Sequence, residues 1–138
     1  MALIFTKKNK LILIDDKTNK LINSYTFLKD NTFSVEFIHS VNKSKIIEFY
    51  KFDNKKNIIL DKTIYYNFGA GVETEINDNW NLTYGDDGSM IISNMNIKID
   101  ELIYIVGTVS DHILNINNDK IILNKLFGKN RRIKFIIK

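Results

Sequence analysis

The chain has 138 residues with formal charge +4; 44% of its residues are hydrophobic and 26% charged. That is the length of one domain with enough apolar residues to close a core, and it excludes a disordered or collagen-like chain. With no cysteine and no proline, there is no disulfide framework, thiol nucleophile or Cys-type zinc site, and Gly, Asn and Asp must mark the turns.

In chain order, the opening "MALIFTKK" holds an apolar run too short for a signal peptide, and no later stretch has the length to span a bilayer. Short apolar runs with period-two texture then alternate with polar clusters: "LILI" (11–14), "LINSYTF" (21–27), "TFSVEFIHS", "IIEFYKF" and "IILDKTIYYNF". Next, "WNLTYG" and "SMIISN" flank Asp86-Asp87-Gly88, a turn signal. "LIYIVGTV" follows. "HILNI" and "KIILN" flank Asn117-Asn118-Asp119, and Gly128-Lys129-Asn130 precedes "RRIKFIIK". The apolar positions are dominated by β-branched and aromatic residues, and strand plus turn repeats about every ten residues. The expectation is one all-β domain over 1–138, an antiparallel sandwich or barrel of about 9–12 short strands joined by hairpins. Segment 94–104 has room for one helical turn but reads better as extended or irregular chain.

Residues 33–52, "FSVEFIHSVNKSKIIEFYKF", place His39 and Glu48 in an otherwise apolar hairpin. A four-residue loop, Asn42 to Lys45, closed by Val41 and Ile46, sets His39 opposite Glu48, Ile38 opposite Phe49, Phe37 opposite Tyr50 and Glu36 opposite Lys51. One face then carries Phe33, Val35, Phe37, His39, Glu48, Tyr50 and Phe52, and the other gains a favourable Glu36–Lys51 pair. A two-residue loop sets Phe37 against Glu48 and Glu36 against Phe49, a poorer match. The preferred register makes a His–Glu pair, each group offsetting the cost of burying the other. Such a pair reads as a structural polar clip or as a ligand-facing pair at a cleft, with Ser40 and Tyr50 as neighbours.

A catalytic reading is weaker. Ser40 and His39 are adjacent on a strand and point to opposite faces, as do Asp111 and His112. A third metal ligand at diagnostic spacing is missing, and Asp86-Asp87-Gly88 does not match a calcium loop, so neither metal nor cofactor is expected. The stretch "FGAG", Phe68-Gly69-Ala70-Gly71, reads as a bulge or sharp corner, or as backbone that cradles a carboxylate or phosphate. It lacks the lysine and hydroxyl of a phosphate loop. The basic stretch Lys125, Lys129, Arg131, Arg132 and Lys134 reads as a solvated hairpin face rather than a phosphate-binding surface. Phe127 and Phe135 fit the core better than a base-stacking role, and nucleic acid is not expected as a partner.

"HSV" with Glu48 beyond it, followed by "FGAG", and the tail "HILNINNDKIILNKLFGKNRRIKFII" together resemble the domain of unknown function 1850 family. The resemblance runs from about residue 10 onward. Its signature falls on His39, Ser40, Val41, Glu48, Phe68, Gly69, Ala70 and Gly71. The family often has proline soon after the glycines, where this chain has Val72-Glu73, and an apolar N-terminal segment that is absent here. The resemblance implies a small bacterial protein commonly encoded beside carriers of the TAXI type of TRAP transporter. It implies an extracytoplasmic, membrane-associated setting, through a segment not present in this sequence, with a cytoplasmic setting as the alternative.

The function expected is a non-enzymatic accessory or ligand-binding module, its partners TRAP-type transporter subunits or a small anionic ligand. Its candidate ligand-binding residues are His39, Ser40, Glu48, Tyr50, Phe68, Gly69, Ala70 and Gly71. The alternatives are a small hydrolase-like enzyme using His39 or Glu48 as general base, and a structural or protein-docking domain.

Overall fold

The computed structural model describes residues 8–41, 43–67, 77–107 and 110–138. They form twelve strands and one short helix in two antiparallel sheets, so the sandwich reading holds over the barrel. The small sheet has the order β2 (Leu21–Thr26), β1 (Lys10–Asp15), β12 (Arg131–Ile137), β9 (Leu102–Val106). The large sheet runs β11 (Asp119–Ile122), β10 (Ile113–Ile116), β3 (Thr32–Ile38), β4 (Lys45–Phe52), β5 (Ile58–Tyr65), β7 (Met90–Ser93), β6 (Asn81–Tyr84). β8 (Ile97–Ile99) pairs with the other end of β5. Segment 94–104 is therefore extended rather than helical.

Period-two alternation supplies the core. Leu11 and Leu13 of β1, Leu102 and Val106 of β9, and Ile133, Phe135 and Ile137 of β12 are buried together with Phe33 and Val35 of β3, Tyr50 of β4 and Leu114 and Ile116 of β10. Burying each such side chain contributes roughly 1.5–3 kcal/mol. Phe33 stacks on Tyr50 at 5.1 Å and on Phe135 at 6.0 Å, and this joins the two sheets. Phe127 and Phe135 belong to this core, as expected.

In a chain without proline, asparagine marks the turns. Seven of the nine non-glycine residues with positive φ among the described residues are Asn. A short amide side chain tolerates the left-handed region better than most others. Asn117 and Asn118 (φ 54° and 66°) make the two-residue β10–β11 turn, and Gly88 (φ 81°) completes the turn between β6 and β7.

Three local features differ from the sequence reading. The hairpin β3–β4 pairs Ile38 with Lys45, Phe37 with Ile46, Val35 with Glu48 and Phe33 with Tyr50, not His39 with Glu48. His39 N–H donates to the Ser44 carbonyl (2.8 Å), so the hairpin closes at His39 and Ser44 rather than at Val41 and Ile46. The slip is two residues along each strand. It preserves which side chains share a face, and it places apolar or aromatic residues opposite one another where Phe33 meets Tyr50 and Phe37 meets Ile46. Glu36 now faces Ile47, and its cation is Lys45 (3.9 Å), while Lys51 pairs with Asp61 (3.3 Å) at a bulge in β5.

The third difference is α1 (Leu123–Phe127), whose first two residues fall in the run "KIILN" read in sequence as a strand. Leu123 and Phe127, one turn apart, are its buried residues. The basic stretch is largely paired, with Arg131 on Asp15 (3.2 Å), Arg132 on Asp16 (3.1 Å) and Lys134 on Glu101 (3.0 Å).

Candidate functional site

β4 lies in the middle of the large sheet, so its inner side chains face the small sheet across the core. Glu48 is one of them, opposite Val35 on β3 and Thr63 on β5. An ionised carboxylate at this position would lose several kcal/mol of hydration, roughly, without compensation. The compensation comes from the facing sheet. Tyr104 of β9 donates its hydroxyl to Glu48 Oε1 at 2.9 Å, and the Tyr50 hydroxyl lies 2.6 Å from that of Tyr104. With Tyr104 donating to the carboxylate, Tyr50 is the donor in the second bond. Tyr50 and Tyr104 are 3% and 8% exposed, so these bonds form where water competes little.

The electrostatics follow from burial. Desolvation raises the Glu48 pKa above the ordinary glutamate value, and the Tyr104 and Tyr50 hydroxyls offset part of that shift. Burial and the neighbouring carboxylate push both tyrosines far above the usual phenol range. Both phenols are therefore hydrogen-bond donors at any pH the protein meets, and neither is a phenolate nucleophile.

A second buried polar residue adjoins this group. His112, 8% exposed, stacks on Phe37 (5.4 Å, interplanar angle 11°) and meets the Tyr104 ring edge-on at 5.7 Å. Gly107 N–H donates to His112 Nδ1 (3.3 Å), and His112 N–H donates to Asn124 Oδ1 of α1 (3.1 Å). Desolvation lowers its pKa, against the smaller opposing pull of the Ser110 carbonyl and the Asp111 carboxylate. The short helix thus fixes the backbone next to the imidazole.

The sequence candidates separate into three groups. Glu48, half-buried, meets the buried Tyr50 on the inner face of β4. His39 is half-buried at the hairpin end: its carbonyl accepts from Lys43 N–H (3.0 Å) and its Nδ1 from Val41 N–H (3.2 Å). Ser40 beside it is exposed. His39 is level with Ser44, four residues from Glu48 along β4, about 13 Å at the strand rise. The proposed His39–Glu48 clip is therefore replaced by a Glu48–Tyr104–Tyr50 cluster. Phe68, Gly69, Ala70 and Gly71 lie outside the described residues.

Sequence reasoning missed Tyr104, Phe37's role against His112, and His112 itself. The available signal was parity: Tyr50 and Tyr104 both fall on inward positions, and an inward tyrosine needs a partner for its hydroxyl. An inward acid is such a partner. Among the described residues, no three of His, Asp and Glu converge to hold a metal, and no helix is long and apolar enough to cross a membrane.

The chain matches the family described as Domain of unknown function (DUF1850) over residues 33–123, well over half of its length. That span contains all of the β3–β4 hairpin but Thr32, and with it Glu48, Tyr50, Tyr104 and His112. No curated protein and no solved structure matches it.

Proposed function

The chain belongs to the DUF1850 family, and from that premise we propose that it is a non-enzymatic accessory or ligand-binding module that works outside the cytoplasm beside a TRAP-type transporter. The observation that carries the non-catalytic part is the mutual satisfaction of Glu48, Tyr104 and Tyr50. A general acid or base must reach a substrate proton. Here the carboxyl is committed to a tyrosine of the other sheet, and both phenols are locked as donors. Such a cluster holds two sheets in one alignment and so presents the sandwich's loops rigidly. The transporter part rests on the family signature at His39, Ser40, Val41 and Glu48.

The test is affinity purification of the full-length protein from its native membrane. Recovery of a carrier subunit is expected, with loss of recovery for His39→Ala in a variant that stays folded. A repeated purification without any carrier subunit overturns the transporter reading. A thermal-shift series with small carboxylates tests direct ligand binding.

A hydrolase with Glu48 as general base is the second reading, favoured by the raised carboxyl pKa. It requires ester or amide turnover that disappears in Glu48→Gln.

A further inference from the structure

The outer face of the small sheet carries a concavity of about 580 Å³, on the side of that sheet turned away from the Glu48 cluster. Its wall is built from Lys8, Lys10, Lys56 and Lys138 with Asn9 and Ser24, over Ile12 and Leu21. Among the described residues, its lining has four lysines and no aspartate or glutamate. The ion pairs among the described residues use Lys45, Lys51, Arg131, Arg132 and Lys134, and none of these four lysines.

The backbone that carries the lysines is fixed. Lys10 and Lys138 exchange backbone hydrogen bonds (2.6 and 2.9 Å), which ties the start of β1 to the chain after β12. Phe27 N–H donates to the Asn9 carbonyl (3.0 Å), which anchors the residue between Lys8 and Lys10. Lys56 sits at φ 65° in the turn before β5, its N–H on the Asp53 carbonyl (2.9 Å). Like charges gathered around one concavity focus positive potential there and attract a polyanion. Lysine binds phosphate as a point charge, without the planar fork by which arginine selects a carboxylate. The buried Ile12 and exposed Leu21 give an apolar flank beside the charged groups.

We propose that this concavity is a binding site for a phosphate-bearing anion, either a soluble phosphate compound or a phospholipid headgroup, held by Lys8, Lys10, Lys56 and Lys138 through charge. The site does not depend on the transporter reading.

The experiment titrates the full chain with inorganic pyrophosphate by calorimetry, and separately sediments it with vesicles of phosphatidylcholine alone or with added phosphatidic acid. Three proteins are compared: wild type, Lys10→Gln/Lys56→Gln, and the control Lys120→Gln/Lys125→Gln, which removes the same charge elsewhere. All four substituted lysines are exposed, so each variant is expected to fold as wild type does. Wild type is expected to bind at least one probe, more weakly as salt rises. The Lys10/Lys56 variant is expected to lose about tenfold in affinity and the control to keep it. Pyrophosphate binding without vesicle binding assigns the site to soluble phosphates, and binding only to acidic vesicles assigns it to headgroups. Equal weakening in both variants, or binding to neither probe, overturns the proposal.

Discussion

Tyr104 on the small sheet donates its hydroxyl to Glu48 on the large sheet across 2.9 Å, and no cross-strand neighbour within the hairpin supplies that bond. The carboxyl that looks misplaced in an apolar hairpin is thus an inter-sheet tie between residues 56 positions apart.

Tyr104→Phe keeps the ring and removes the donor, leaving Glu48 with Tyr50 alone. A loss of about 1–3 kcal/mol in chemical denaturation is expected. The pH dependence has a definite sign. Burial raises the Glu48 pKa in the folded state. Its contribution is therefore complete below the unfolded glutamate value, about 4.3, and is lost as pH rises through the higher folded value. Denaturation of wild type and Glu48→Gln across that window should show the wild-type advantage shrinking as pH rises. Tyr104→Phe removes a group that lowers the Glu48 pKa, so it should extend the decline to higher pH. A difference independent of pH contradicts the half-buried, raised carboxyl.

The hairpin register is open to a covalent test, since the chain has no cysteine of its own. Ile38 lies opposite Lys45 and next to the His39–Ser44 hydrogen bond, in the closely spaced kind of pair that accepts a disulfide. Ile38→Cys/Lys45→Cys should oxidise to an intramolecular disulfide, read by mass spectrometry under non-reducing digestion. Ile38→Cys/Phe49→Cys, the pair that the His39–Glu48 register would bring together, should stay reduced. The opposite pattern restores that register.

Why the faces of this hairpin were legible and its partners were not is a matter of symmetry. Sliding each strand by two residues leaves Phe33, Val35, Phe37, Glu48 and Tyr50 on the same side, so alternation alone reports the face. Partner choice needs knowledge of what lies across the core. With only the hairpin in view, Glu48's best available partner is His39. With the second sheet present, Tyr104 supplies the bond and aromatic stacking of Phe33 on Tyr50 sets the register. Helix α1 escaped for a different reason. Five residues are too few to establish a 3.6-residue period, and Leu123 and Phe127 alone fit a strand end as readily. Turns were legible because Asn and Gly report φ locally, as at Asn117-Asn118 and Gly88.

His112 gives the acid side of the pH profile. Desolvation lowers its pKa in the folded state below the ordinary value near 6.5. Its contribution is complete above that value and is lost as pH falls through the lowered one, the reverse of Glu48. The chain has two histidines, and His39→Gln leaves a single imidazole in the NMR spectrum, which identifies His112. Its midpoint should lie below about 6.5. Phe37→Ala, which strips the stacked ring from the imidazole, should move it back toward the ordinary value. A midpoint at or above that value removes the case for a desolvated imidazole.

Gly107 joins the histidine to the helix, and its replacement tests both. It has φ +77°, and a Cβ there would lie 2.6 Å from Asn124 Nδ2 and 3.4 Å from Lys129 Cα. The left-handed backbone alone makes alanine costly. The Asn124 side chain can move away, but it then gives up the bond it accepts from His112 N–H. Gly107→Ala should therefore lose about 1–3 kcal/mol, part from backbone strain and part from the displaced amide. The two parts separate in a double-mutant cycle. In an Asn124→Ala background the clash with the amide is gone and only the backbone part remains, so Gly107→Ala should cost less there. Equal cost in both backgrounds would mean that Asn124 yields without penalty, and that the helix does not hold His112 in place.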